Sequence, residues 1–171
     1  MMSGRLLRSP SADLWDRYAA LPAGPKLVMR LKSFVLLPTN KTLFLQCLTR
    51  AGSRGPDGRA WSCQSLNDVL NGLQRQGLLT DEFACLAPLL HPVAVDAAAC
   101  AEGEALIAAV RSGFPAQQHY GYYSTPPIDC DAVVRLLRLA IYANDGPGFV
   151  AHRELFDQKC SVFALGDIIA A

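Results

Sequence analysis

Leu66, Val69, Leu70 and Leu73 stand at i, i+3, i+4 and i+7, and no other spacing in the chain restricts its folding so tightly. That spacing makes one apolar stripe along an α-helix. Ser62 precedes the stripe as an N-cap, and Gly77 follows it as a left-handed stop. The opposite face carries Gln64, Asn67, Asp68, Asn71, Gln74 and Arg75. Every surface helix has a polar face. Asn and Ser have a lower helix propensity than Lys or Glu, so a face rich in them is unusual for a helix that is merely solvated.

The flanking sequence organises itself around this segment. A short helix is expected over residues 11–20, with Leu14, Trp15 and Tyr18 inward. Pro25 suits the first turn of a second helix, whose apolar stripe is Leu27, Leu31, Phe34 and Val35. Pro38 ends it, and Thr39 or Asn40 caps a third helix that buries Leu43, Phe44, Cys47 and Leu48. Residues 52–60 hold glycines, a proline, Arg54 and Arg59, and read as a loop. After the amide-rich helix, residues 78–80 and 83–87 read as two strands around a tight turn at Asp81 and Glu82.

From Pro92 the character changes: an alanine-rich helix is expected over residues 93–101, and further helices over 104–112, 129–142, 149–158 and 162–170. The helix over 129–142 is apolar round most of its circumference and should be buried on most sides. The expected division is therefore residues 1–91 and residues 92–171. The apolar end, Ile168-Ile-Ala-Ala, suggests either a longer chain beyond it or a last helix docked into the core.

Half of the 171 residues are hydrophobic and 18% are charged, a balance that suits a folded globular chain. No apolar run reaches the length of a membrane span, and the N-terminus lacks a secretory hydrophobic region, so a cytoplasmic protein is expected. The formal net charge of +1 hides an asymmetry. Residues 1–79 carry eleven Lys and Arg against four Asp and Glu, whereas residues 80–171 carry five against eleven. A basic half joined to an acidic half suggests one part that faces a polyanion. The six cysteines form no Cys-x-x-Cys pair and have no histidine at zinc-finger spacing. They read as reduced thiols serving as small hydrophobes, with no metal and no cofactor expected.

No nucleophile elbow, phosphate-cradling glycine loop or His-Glu-x-x-His occurs, so catalysis is not expected within these residues. His91, His119 and His152 belong to no recognisable triad. The tyrosines at 120, 122 and 123 could stack bases or simply cover helix ends.

The amide-rich face suits a DNA major groove, where Asn and Gln pair with adenine and Arg with guanine. Gln64, Ser65, Asn67, Asn71 and Arg75 are the candidate reading residues, and Lys41, Arg54 and Arg59 the candidate phosphate contacts. Asp81 and Glu82 at the expected turn oppose this, because they repel phosphate.

Over residues 24–91 the chain resembles winged helix-turn-helix domains. The carriers are the helix from Thr39, the pattern Ser65-Leu-x-x-Val-Leu-x-x-Leu-x-x-x-Gly-Leu-Leu and the two strands after it. The loop before the pattern is longer than the usual helix-turn-helix turn. The layout also looks like the N-terminal accessory region of bacterial Swi/Snf-class helicase-like proteins, although no motor motif is present. The resemblance implies a mainly α fold, three helices and a short β-wing followed by an all-helical part. It also implies a DNA-binding module, acting as a regulator or within a larger nucleic-acid enzyme. The alternative is a protein-interaction scaffold in which this region and the acidic helices hold a partner.

Overall fold

The structure is a computed structural model and describes residues 10–36, 40–114 and 129–160. Eight helices follow one another through these residues: α1 (Pro10–Ala19), α2 (Ala23–Val35), α3 (Lys41–Arg50), α4 (Cys63–Arg75), α5 (Ala87–Ala99), α6 (Gly103–Gly113), α7 (Cys130–Tyr142) and α8 (Gly146–Lys159). The mainly α expectation stands. The helix expected over 162–170 and the tyrosines at 120, 122 and 123, with His119, lie outside the described residues.

Local chemistry sets where these helices start and stop. Asn40 caps α3 by accepting from the Thr42 N–H, and Asp129 caps α7 by accepting from Ala132. Ser62 and Ser65 form a capping box at the start of α4. The other end of α4 closes in a left-handed turn at Gly77, where φ is +66°. There Leu78 N–H donates to the Leu73 carbonyl and Gly77 N–H to Gln74, which satisfies two of the orphan carbonyls. Gly52 and Asn144 end α3 and α7 in the same way.

α2 is the central helix, with α4, α5, α6 and α7 packed around it. Val28, Met29, Leu31 and Val35 of α2 are fully enclosed, and one apolar core runs continuously from Tyr18 to Leu139. α7 is fastened to this body by Arg135. Its Nε donates to the Val35 carbonyl at the end of α2 (2.9 Å), and its guanidinium lies 4.6 Å from the centre of the Phe114 ring. A second, small cluster of Val133, Val134, Phe156 and Cys160 lies between α7 and α8.

The wing is absent. Among the described residues there is no strand, and one isolated antiparallel bridge, Leu79 to Cys85, stands where two strands were expected. Only nine residues separate Gly77 from Ala87, where α5 begins. They close on themselves through Thr80 N–H to the Ala84 carbonyl, Phe83 N–H to the Thr80 carbonyl, and Ala84 N–H to the Thr80 hydroxyl. Leu86 then serves as the N-cap of α5, and Pro88 sits in its first turn, where proline favours a helix. Residues 83–87 also lack the β-branched side chains that a strand favours. Pro92 lies inside α5, so the position at which the sequence suggested a division is helical.

The cysteine expectation is corrected as well. Cys130 and Cys160 form a disulfide that joins the start of α7 to the end of α8. Cys47, Cys63, Cys85 and Cys100 are free thiols.

Candidate nucleic-acid interface

α4 turns Leu66, Val69, Leu70 and Leu73 into the core, as their spacing requires. Its remaining residues fall into three sectors. Gln64, Asp68, Asn71 and Arg75 form an exposed strip down the centre. The candidate residues Gln64, Asn71 and Arg75 are thus brought together on one face. The Gln64 amide donates to the Asp68 carboxylate (2.9 Å), and Arg75 Nε donates to the Asn71 carbonyl (3.3 Å). Both are local i, i+4 contacts, and each leaves further hydrogen-bonding capacity facing outward.

Ser65 and Asn67 lie elsewhere. Ser65 is half-buried, and its hydroxyl accepts from the Ser62 N–H (2.9 Å) as part of the cap. Asn67 is half-buried on the far flank, with its Oδ1 enclosed and without a hydrogen-bond partner among the described residues. Gln74 shares that flank and donates to Asp81 (3.2 Å).

The loop before α4 is long but closely fixed. Trp61 is buried, and its Nε1 donates to the Ser53 hydroxyl (3.1 Å). Gly55 N–H donates to the Arg59 carbonyl (2.7 Å), and Asp57 Oδ1 accepts from Arg59 N–H (3.1 Å). Pro56 presses on α2 so closely that a Cβ at Gly24 would sit 3.2 Å from its ring. This frame holds the exposed side chains of Arg54 and Arg59 on the segment leading into α4. Lys41, exposed at the start of α3, lies 5.8 Å from the centre of the Phe83 ring. Arg17 was missed by sequence reasoning. It reaches from α1 to the Gln76 carbonyl (3.3 Å) at the C-terminal end of α4. The two residues are 59 positions apart, and no local pattern links them.

On the third sector of α4 lies a groove of about 430 Å³, lined by Pro25, Pro56, Asp57, Ser65, Asp68, Val69, Gly72, Leu73 and Gln76. Its walls are mostly apolar, and Asp57 and Asp68 supply its carboxylates.

The basic character of the first half is partly spent inside the molecule. Arg30 pairs with Asp96 of α5 (2.8 Å), and the Tyr18 hydroxyl donates to the same carboxylate oxygen. These two donors hold the Asp96 carboxyl below its ordinary pKa, despite the desolvation that opposes them. Lys32 is 6% exposed, with its ammonium 5.0 Å from the centre of the Phe44 ring. Burial pushes its pKa down to about 8. Arg30 and Lys32 are therefore not available to an external polyanion, whereas Arg17, Lys41, Arg54, Arg59 and Arg75 are exposed.

Among the described residues no helix is long and apolar enough to cross a membrane, and no group of three or more His, Cys, Asp or Glu side chains could hold a metal ion. Comparison with known proteins finds no matching family, curated protein or solved structure.

Proposed function

We propose that the protein contacts nucleic acid through the exposed strip of α4, either as a regulator or as an accessory module of a larger nucleic-acid enzyme. One observation carries this reading. Gln64, Asn71 and Arg75 share a face that the core does not use, on a helix whose two ends are already satisfied by their own caps. Asn71 and Gln64 supply amide pairs for base edges, and Arg75 supplies a guanidinium for guanine or phosphate. Arg54 and Arg59 before the helix, Arg17 after it and Lys41 beside it supply charge for the backbone. No wing takes part in this arrangement.

The test is a titration of a fluorescent duplex at several salt concentrations. Four or five phosphate contacts predict that the logarithm of the affinity falls with log salt at a slope of about −4. Asn71→Ala combined with Arg75→Ala should abolish binding while the helix content stays unchanged. A double variant that binds as well as the parent sinks the assignment of this face.

The groove beside the strip favours a second reading, a peptide-binding scaffold. Its apolar wall and the carboxylates of Asp57 and Asp68 suit a segment carrying one bulky apolar side chain and a flanking Lys or Arg. Asp68→Asn separates the two readings. It removes a negative charge from the centre of the strip and should strengthen duplex binding, whereas it should weaken a basic peptide.

A further inference from the structure

The α7–α8 hairpin is held to itself more than to the rest of the molecule. α7 is the principal packing neighbour of α8. At the turn between them Asp145 caps α8 by accepting from Gly148 N–H, and it pairs with Arg111 of α6 (2.7 Å). At the open end the tie is covalent, from Cys130 to Cys160. Between these two fastenings lies a thin apolar cluster built on Val133, Val134 and Phe156. On the outer side of α8, Val150 is 54% exposed. A helix with so little buried apolar surface relies heavily on its end fastenings.

We propose that the Cys130–Cys160 disulfide is a redox-operated clasp, and that a thiol reductant opens it and frees α8 from α7. Cys130 is half-buried and Cys160 buried, so the Cys130 sulfur is the more open to attack. A reductant thiolate bonds to Cys130 Sγ, the S–S bond breaks, and Cys160 leaves as a thiolate that takes up a proton. A second thiolate of the reductant then attacks the mixed disulfide and releases Cys130, which is protonated in turn. The net change is two electrons and two protons taken up by the protein, while a dithiol is oxidised to its disulfide. Among the described residues the hairpin then rests on the small cluster of Val133, Val134 and Phe156, with Leu137 and Leu155 packed against it, and departure of α8 bares the Val133 and Val134 side of α7.

The clasp is separate from the other thiols. Cys47 and Cys85 are buried in the main core, and burial pushes both thiols up, Cys85 to about 12. Neither offers an appreciable thiolate near neutral pH. Cys63, exposed on α4, and Cys100 are free thiols too, so the four other cysteines offer no S–S bond, and reduction acts on the hairpin and leaves the body that carries α4 in place.

The experiment is hydrogen exchange of the full chain with and without dithiothreitol, alongside thiol counting in denaturant. The oxidised chain should show four thiols and the reduced chain six. Amides of α8 should exchange at least tenfold faster after reduction, those of α4 at an unchanged rate, and oxidised glutathione should restore protection. Cys130→Ser combined with Cys160→Ser should match the reduced chain whether or not reductant is present. Should that variant fail to fold, the reductant arm on the parent still decides. Six thiols in the chain before reductant, or equal α8 protection once the count has risen from four to six, overturns the proposal.

Discussion

α4 and α8 are the same kind of object, a helix of about four turns, yet they are held in opposite ways. α4 buries four consecutive members of a leucine and valine stripe in the main core, carries a reciprocal serine cap at one end and closes in a left-handed glycine turn at the other. α8 has a side-chain cap from Asp145, a thin cluster against α7 and a covalent tie at its last turn. The contrast teaches that periodicity secures a helix only where the stripe meets a core large enough to receive it. Where the core is small, end fastenings carry the load.

The largest effect should come from hollowing the α4 side. Leu73→Ala removes a nearly enclosed side chain from the main core and should cost about 2–5 kcal/mol in urea unfolding, with the loss shared by the whole main body. Opening the α8 side by Cys130→Ser with Cys160→Ser should cost about 2–4 kcal/mol. That loss should appear as faster exchange in α8 rather than as an earlier global transition. Equal spread of both losses over the chain would erase the contrast.

Lys32 sharpens the comparison from inside the main core. Its ordinary pKa of 10.5 falls to about 8 in the folded protein, so the unfolded chain binds more protons between those values. Stability attributable to this residue therefore rises as pH climbs from about 8 to 10.5 and is constant below 8, where the buried ammonium is a full liability. Lys32→Met should gain about 1–3 kcal/mol at pH 7, an advantage that shrinks as the pH passes through that window. Paired denaturation curves at pH 7 and pH 10 check it, and a gain that does not depend on pH would point to packing instead. The smallest effect is at the cap. Ser62→Ala should cost about 1 kcal/mol, read as a lower urea midpoint, because one orphan N–H of α4 loses its acceptor.

Much of this was legible in the residues, and the reasons differ by place. The α4 stripe, its caps and the helices around Leu31, Phe44 and Val133 follow from spacing and from Pro, Gly, Asn and Ser at the boundaries. The wing was misread because Leu78, Leu79 and residues 83–87 form a short apolar run, and such runs do not distinguish a strand from a turn entering a helix. The change of character at Pro92 suggested a division, yet Pro92 is the sixth of the thirteen residues of α5, which runs on through it. The disulfide escaped because residues 30 apart in sequence carry no spacing signal of their own. The charge asymmetry was read outward, although Arg30 and Asp96 use part of it to join α2 to α5. Within the candidate interface the sequence grouped Ser65 and Asn67 with the reading residues, whereas Ser65 is engaged in the cap of α4 and Asn67 is half-buried with its Oδ1 enclosed.

The most direct measurement follows the side-chain amide resonances of the folded chain by NMR while a duplex is added. The account predicts that the Gln64 and Asn71 side-chain amides shift together, and that those of Asn67 and Gln74 on the far flank stay in place. Movement of the Asn67 and Gln74 signals while those of Gln64 and Asn71 stand still, or no change in any of the four, would contradict it.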